Sequence, residues 1–177
     1  MTKFVLIYAA LATTASLSFA QKYTSPAAET SVTVAGKSIS IKYSAPSVHG
    51  RQIFGAGGLL SHDPHYPVWR AGANSATALH TDADLDIQGL KVPAGDYTLF
   101  VNVADPDQWE FIVSKDTKEW GLAYKENMDL GRVKMEMSKP ASPIEVYKMT
   151  LSSAGGNSGK LRLEWENHVA SVSFKAK

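Results

Sequence analysis

Arg51, Arg70, Asn74 and Thr77 carry the side chains of this chain best suited to hold a ligand, and all four fall in one stretch, Tyr43 to Thr77. An arginine offers a rigid fork of N–H donors that fits carboxylates, phosphates or sugar hydroxyls. If Trp69 and Arg70 are extended, they point to opposite faces, so Trp69 anchors in the core while Arg70 faces outward. The pattern predicts a polar pocket for a small anionic or hydroxylated ligand. The same residues also have a structural use. The arginines could pair with Asp82, Asp84, Asp86 or Asp129 and tie down the loop, and Asn74 could bond the turn backbone. His62, Asp63 and His65 lie inside the same stretch and are ligands of the kind zinc takes. A His-x-x-His pair on a loop can converge on one ion, with His49 or His80 as a third ligand. Pro64 fixes the intervening backbone and need not aim both rings together, so a solvated polar loop is the other reading. Zinc is the only cofactor these residues suggest; apart from it none is expected.

Other chemistries leave weaker marks. Gly55-Ala56-Gly57-Gly58 resembles a phosphate cradle but lacks the Lys-Ser/Thr and the helix start that would complete one. There is no Gly-x-Ser-x-Gly and no His-Glu-x-x-His, and the absence of cysteine removes thiol catalysis. No residue is therefore given a catalytic role, although a dispersed Ser-His-Asp set is recognised by geometry and not by order. Tyr66, Trp69, Trp109, Trp120 and Tyr124 would suit sugar stacking if exposed and core packing if buried. Trp109 and Trp165 alternate with apolar partners and are read as core.

The elements that must position these residues are strands. Val32 and Val34 can pack against Ile39, Ile41 and Tyr43 across a turn at Ala35-Gly36-Lys37. Ser75 to Thr81 reads as a strand, and Tyr97, Leu99, Val101 and Val103 share one face of another. Trp109, Phe111 and Val113 return on the next. Val133, Met135 and Met137 alternate through an outer strand; Glu145, Tyr147, Met149 and Leu151 through a further one. Leu161, Leu163 and Trp165, then Ala170, Val172 and Phe174, complete the chain. Thr117 to Leu130 reads as a short helix or an irregular crossing. Short strands with frequent turn signals predict an all-β fold, an antiparallel β-sandwich first and a partly closed β-barrel second. The 43–77 connection is long, and such loops are functional or disordered. This one has too many apolar and aromatic residues for disorder.

The ends and the charge set further bounds. A positive start, an uncharged apolar run from Phe4 to Phe19 and Ser18-Phe19-Ala20 predict a signal peptide over residues 1–20. The run is too short and too diluted by Thr and Ser for a membrane span. Residues 21–28 read as a flexible mature N-terminus, and 29–177 as one domain that would act in the periplasm or after secretion. Basic and acidic residues number 18 and 17, so removing Lys3 leaves 17 − 17 = 0. No basic stripe argues for nucleic acid. Charge near zero offers little defence against self-association, which leaves a homo-oligomer open.

Several motifs, taken together, resemble a bacterial family catalogued as a domain of unknown function, number 2911. They are Tyr43-Ser44-Ala45-Pro46, Gly50-Arg51-Gln52-Ile53-Phe54-Gly55, Trp69 to Thr77, Pro93 to Phe100, Trp109, Trp120-Gly121, Asp129, Arg132-Val133 and Leu163-Glu164-Trp165. The block from Trp69 to Thr77 is the most specific. The resemblance implies an exported β-rich domain and brings no established activity. Members usually pass quickly from the Phe-Gly turn to the Trp-Arg pair; here Leu59 to Pro67 intervenes, so anything its histidines do belongs to this branch. The functional expectation is a non-enzymatic exported protein that binds a small ligand or a protein partner through the 44–77 surface. The alternatives are a metal-dependent or hydrolytic enzyme using His62, Asp63 and His65, and a self-assembling envelope protein whose strand edges pair between copies.

Overall fold

A computed structural model describes residues 24–117 and 123–177. The expected signal peptide and the Trp120-Gly121 motif lie outside the described residues. The described residues form thirteen strands. They are β1 (Ala27–Val34), β2 (Lys37–Ser44), β3 (Val68–Trp69), β4 (Thr77–Thr81), β5 (Leu85–Ile87), β6 (Leu90–Val92) and β7 (Gly95–Asn102). They continue with β8 (Glu110–Ser114), β9 (Asp129–Lys134), β10 (Glu136–Ser138), β11 (Ile144–Gly155), β12 (Ser158–Glu166) and β13 (His168–Ala176). Ala27 and Ala28, expected to belong to a loose end, already pair with Ser44 and Tyr43.

Two antiparallel sheets face each other. The first runs β1-β2-β4-β7-β8-β9, with β3 on the β4 side of β7 where that strand outruns β4. The second runs β11-β12-β13-β5-β6, with β10 also against β13. This is the sandwich that the period-two pattern predicts, and the sheets do not close into a barrel. They are laced along one side. Leu151 N–H donates to Thr30 Oγ1 at 2.9 Å, and Ser47 bridges Val146.

The core lies between the sheets because alternate residues of each strand turn inward. Ile39, Ile41, Leu79, Leu99, Val101, Phe111 and Val113 come from the first sheet, and Tyr147, Met149, Leu161, Leu163, Trp165, Val172 and Phe174 from the second. At about 25 cal/mol per Å² of apolar surface, such burial is the main term favouring the fold. Two departures from simple alternation stand out. Phe100 and Ile112 are buried on the outer face of the first sheet, and the Tyr124 ring packs over Phe100 with centres 4.9 Å apart. The run read as one outer strand through Val133, Met135 and Met137 is two strands, β9 in the first sheet and β10 in the second. The chain changes layers at Met135, which is itself buried.

Candidate functional site

The 45–76 segment is stitched to both sheets. Its start bonds the second sheet through Val48 N–H to Glu145 O and Tyr147 N–H to Pro46 O, each 2.8 Å. Arg51 closes this turn on itself, donating from Nε to Val48 O at 2.9 Å and from Nη2 to Ser47 O at 2.6 Å. The guanidinium thereby satisfies loop carbonyls that strand pairing leaves free. Ile53 is fully buried, and Phe54 reaches Trp69, Trp109, Trp165 and His168. A 3-10 turn at Leu59–His62 follows, held by Leu59 N–H to Gln52 O and Leu60 N–H to Ile53 O. The Tyr66–Pro67 peptide is cis, and the chain then enters β3.

Trp69 is buried, as alternation predicts, whereas the Arg70 side chain, expected to face outward, is largely covered and turns to Asp63. Trp69 Nε1 donates to Gly72 O at 2.9 Å. Thr77, fully buried, donates from Oγ1 to Ala71 O at 3.0 Å. Asn74 adopts a left-handed backbone, φ 58, and its Nδ2 donates to Ser25 O at 3.2 Å. Gly72 sits in a crowded spot. A Cβ there would stand 3.0 Å from both Ser44 O and Thr77 Oγ1.

These constraints leave a recess of about 400 Å³ between the 3-10 turn, the Arg70–Asn74 bend and the end of β12. Leu59, Leu60, Pro46 and Pro64 form its apolar wall, Trp69 and Trp165 its inner end, and His62, Asp63, Arg70 and Asn74 its polar part. Arg70 Nη2 pairs with Asp63 Oδ2 at 2.8 Å, and Nη1 donates to Asn74 O at 3.1 Å. The other Asp63 oxygen accepts from His65 N–H at 3.0 Å.

The residues singled out from sequence are therefore split. Arg70, Asn74, His62 and Asp63 line the recess, whereas Arg51, Thr77 and His65 do not. His65 instead packs edge-on to Tyr124 with ring centres 6.1 Å apart. Among the described residues, no group of three or more His, Asp or Glu side chains could hold a metal. Asp63 is already engaged on both oxygens, by Arg70 and by His65 N–H. Arg70 found its carboxylate seven residues away in Asp63. Of the acidic residues expected to serve, Asp129 is taken by Arg132 and Tyr124, and Asp82 by His80. Sequence reasoning missed Trp165, Pro46 and the two leucines as lining residues. Trp165 carried only a core signal, and nothing local to it reports that the far end of β12 meets Trp69.

A second polar group lies on the outer face of the first sheet. His80 Nδ1 is 2.7 Å from Asp96 Oδ1, and Nε2 is 3.1 Å from Asp82 Oδ1. The hydrogen bond to Asp96, then the one to Asp82, raises the His80 pKa above its ordinary value.

Residues 25–174 match the family described as Protein of unknown function (DUF2911). No curated protein and no solved structure matches the chain.

Proposed function

We propose, for a chain that belongs to the DUF2911 family, that it is a non-enzymatic binding protein whose small ligand sits in the recess beside Arg70. The observation that carries this reading is the recess itself. Its volume, about 400 Å³, is in the range of small-molecule sites. It also combines an apolar wall with a few convergent polar groups, the usual composition of such sites. Catalysis by His62, Asp63 and His65 is disfavoured by the engagement of Asp63 on both oxygens. The protein acts after export, in the periplasm or outside the cell, as the pattern of residues 1–20 suggests. N-terminal sequencing of protein recovered from the native host tests that part; a chain starting at Met1 in the cytoplasm would refute it.

Ligand-induced stabilisation tests the binding. A ligand present at ~100 times its Kd adds ~2.7 kcal/mol to stability, a rise of roughly 5–10 °C in Tm for a domain of this size. Arg70→Ala should remove that rise while the protein remains folded. If Arg70→Ala instead unfolds the domain, the arginine is a structural tie and the reading fails.

A further inference from the structure

The donors and acceptors around the recess do not balance. A guanidinium carries five N–H bonds. Among the described residues, one from Arg70 goes to Asn74 O and one to Asp63 Oδ2. Its Nε–H and one N–H on each terminal nitrogen have no partner, although the side chain is only 15% exposed. Trp165 closes the inner end of the recess from the opposite sheet. The Trp69 and Trp165 rings are stacked, with centres 5.5 Å apart and planes 23° apart. Trp69 Nε1 has Gly72 O as its acceptor, but the buried Trp165 Nε1 has none. That nitrogen is closed off from solvent, so the donors open to an entering acceptor are those of Arg70, and the Trp165 ring offers the ligand an apolar surface.

The acceptors nearest these donors are each already engaged. Asp63 accepts from Arg70 and from His65 N–H, Gly72 O accepts from Trp69, and Asn74 O from Arg70. What the recess lacks is an incoming acceptor. From this surplus we infer that the ligand is a small carboxylic acid with an apolar, branched body. Its carboxylate accepts from the unpaired Arg70 donors, and its body lies along Leu59, Leu60 and the two prolines towards Trp165. A carboxylate presents two oxygens in one plane, which matches the flat guanidinium fork. Asp63 offsets the charge of Arg70, which favours a singly charged acid over a phosphate dianion. The inference rests on the recess being a binding site and names what that site takes.

The test uses the protein labelled with nitrogen-15 and four probes: isovalerate, isovaleramide, isopentanol and inorganic phosphate. Isovalerate is expected to shift the Arg70 Nε–H and Trp165 Nε1–H resonances while leaving Trp109 in place, and to raise Tm. Isovaleramide should bind at least ~10-fold more weakly, because it cannot offer two equivalent anionic oxygens. Arg70→Lys, which keeps the charge and loses the fork, should weaken isovalerate to a similar degree. The wild-type titration stands on its own if that variant does not fold. Ala73→Trp, which fills the recess, should abolish binding. If all three organic probes bind alike and are all blocked by Ala73→Trp, the recess is a binding site but the carboxylate assignment is wrong. If binding survives Ala73→Trp, both the assignment and the site are wrong. Response to phosphate alone, or to no probe, also overturns the assignment.

Discussion

His168 stacks on Trp109, ring centres 5.2 Å apart and planes 20° apart, and touches Phe54 at 4.5 Å. Burial in this apolar setting disfavours the imidazolium and holds the His168 pKa below its ordinary value. Glu166 and Asp107 act in the opposite direction and Lys139 adds to the lowering, but burial is the largest effect. As pH falls, the unfolded chain therefore takes up the proton first. Stability from this group is full above the ordinary histidine value of 6.5 and is lost as pH drops towards the lowered folded value. His80 has the opposite sign. Its pKa is raised by Asp96 and Asp82, so its contribution is full below the ordinary value and fades as pH rises through the folded one. Because His80 is exposed, solvent screens that contribution and His168 should dominate. Nuclear magnetic resonance titration of the imidazoles is expected to place His168 below and His80 above free histidine. His168→Phe should flatten the fall in Tm between about pH 7 and pH 5. A His168 that titrates at or above the ordinary value would refute the burial argument.

The strands themselves offer a cleaner test at the turn between β1 and β2. Val34 pairs with Lys37, and the two residues between them, Ala35 and Gly36, have φ of 51 and 75. That is the type I′ geometry that suits the twist of a two-residue hairpin. Glycine enters this region without strain, whereas alanine pays for its Cβ by about 1 kcal/mol. Ala35→Gly or Ala35→Asn is expected to raise the unfolding free energy by about 1 kcal/mol, read as a higher urea midpoint with an unchanged m-value. A lowered midpoint would show that the turn is built differently. At the 3-10 turn the expectation reverses. A Cβ on Gly58 would stand 2.6 Å from Ile53 O and 2.7 Å from Phe54 O, and backbone oxygens cannot swing aside. Gly58→Ala should cost about 1–3 kcal/mol and remove ligand-induced stabilisation with it. These elements also show what could be read from sequence. In β12 alternation named the inward residues, because a half-buried strand writes its burial into every second position; in β7 and β8 it named the same inward set but not the burial of Phe100 and Ile112 on the other face. The same period failed at Met135. It continues unbroken while the chain passes from one sheet to the other, since alternation records burial and not which layer a residue belongs to. The recess was legible only in part. Arg70 and Asn74 stand next to a signal-rich turn, but the choice of Asp63 as partner, the use of Arg51 on Ser47 and Val48, and the arrival of Trp165 depend on tertiary geometry.

Across the whole molecule, one aromatic cluster joins the layers to the loop. Trp69 lies in β3 and Trp109 leads into β8, both in the first sheet, while Trp165 ends β12 in the second. Phe54, from the loop, contacts all three, with ring centres 6.3, 5.0 and 5.8 Å away. The loop is therefore part of the core and should not open independently. Unfolding is expected to be a single transition, with the far-ultraviolet circular dichroism and tryptophan fluorescence curves coinciding. Leu163, fully buried in the middle of β12, sets the scale for a pure core loss. Leu163→Ala should lower stability by about 2–5 kcal/mol and move both curves together. Phe54→Ala discriminates between a loop built into the core and one that merely rests on it. If it is built in, the change costs about 3–5 kcal/mol, and the curves still coincide. Proteolysis between residues 50 and 67 then follows global unfolding. A loop that only rests on the sandwich would be cut early in the variant while the circular dichroism transition stayed at the wild-type temperature. That outcome would detach the recess from the fold and remove the rigid frame on which ligand binding beside Arg70 depends.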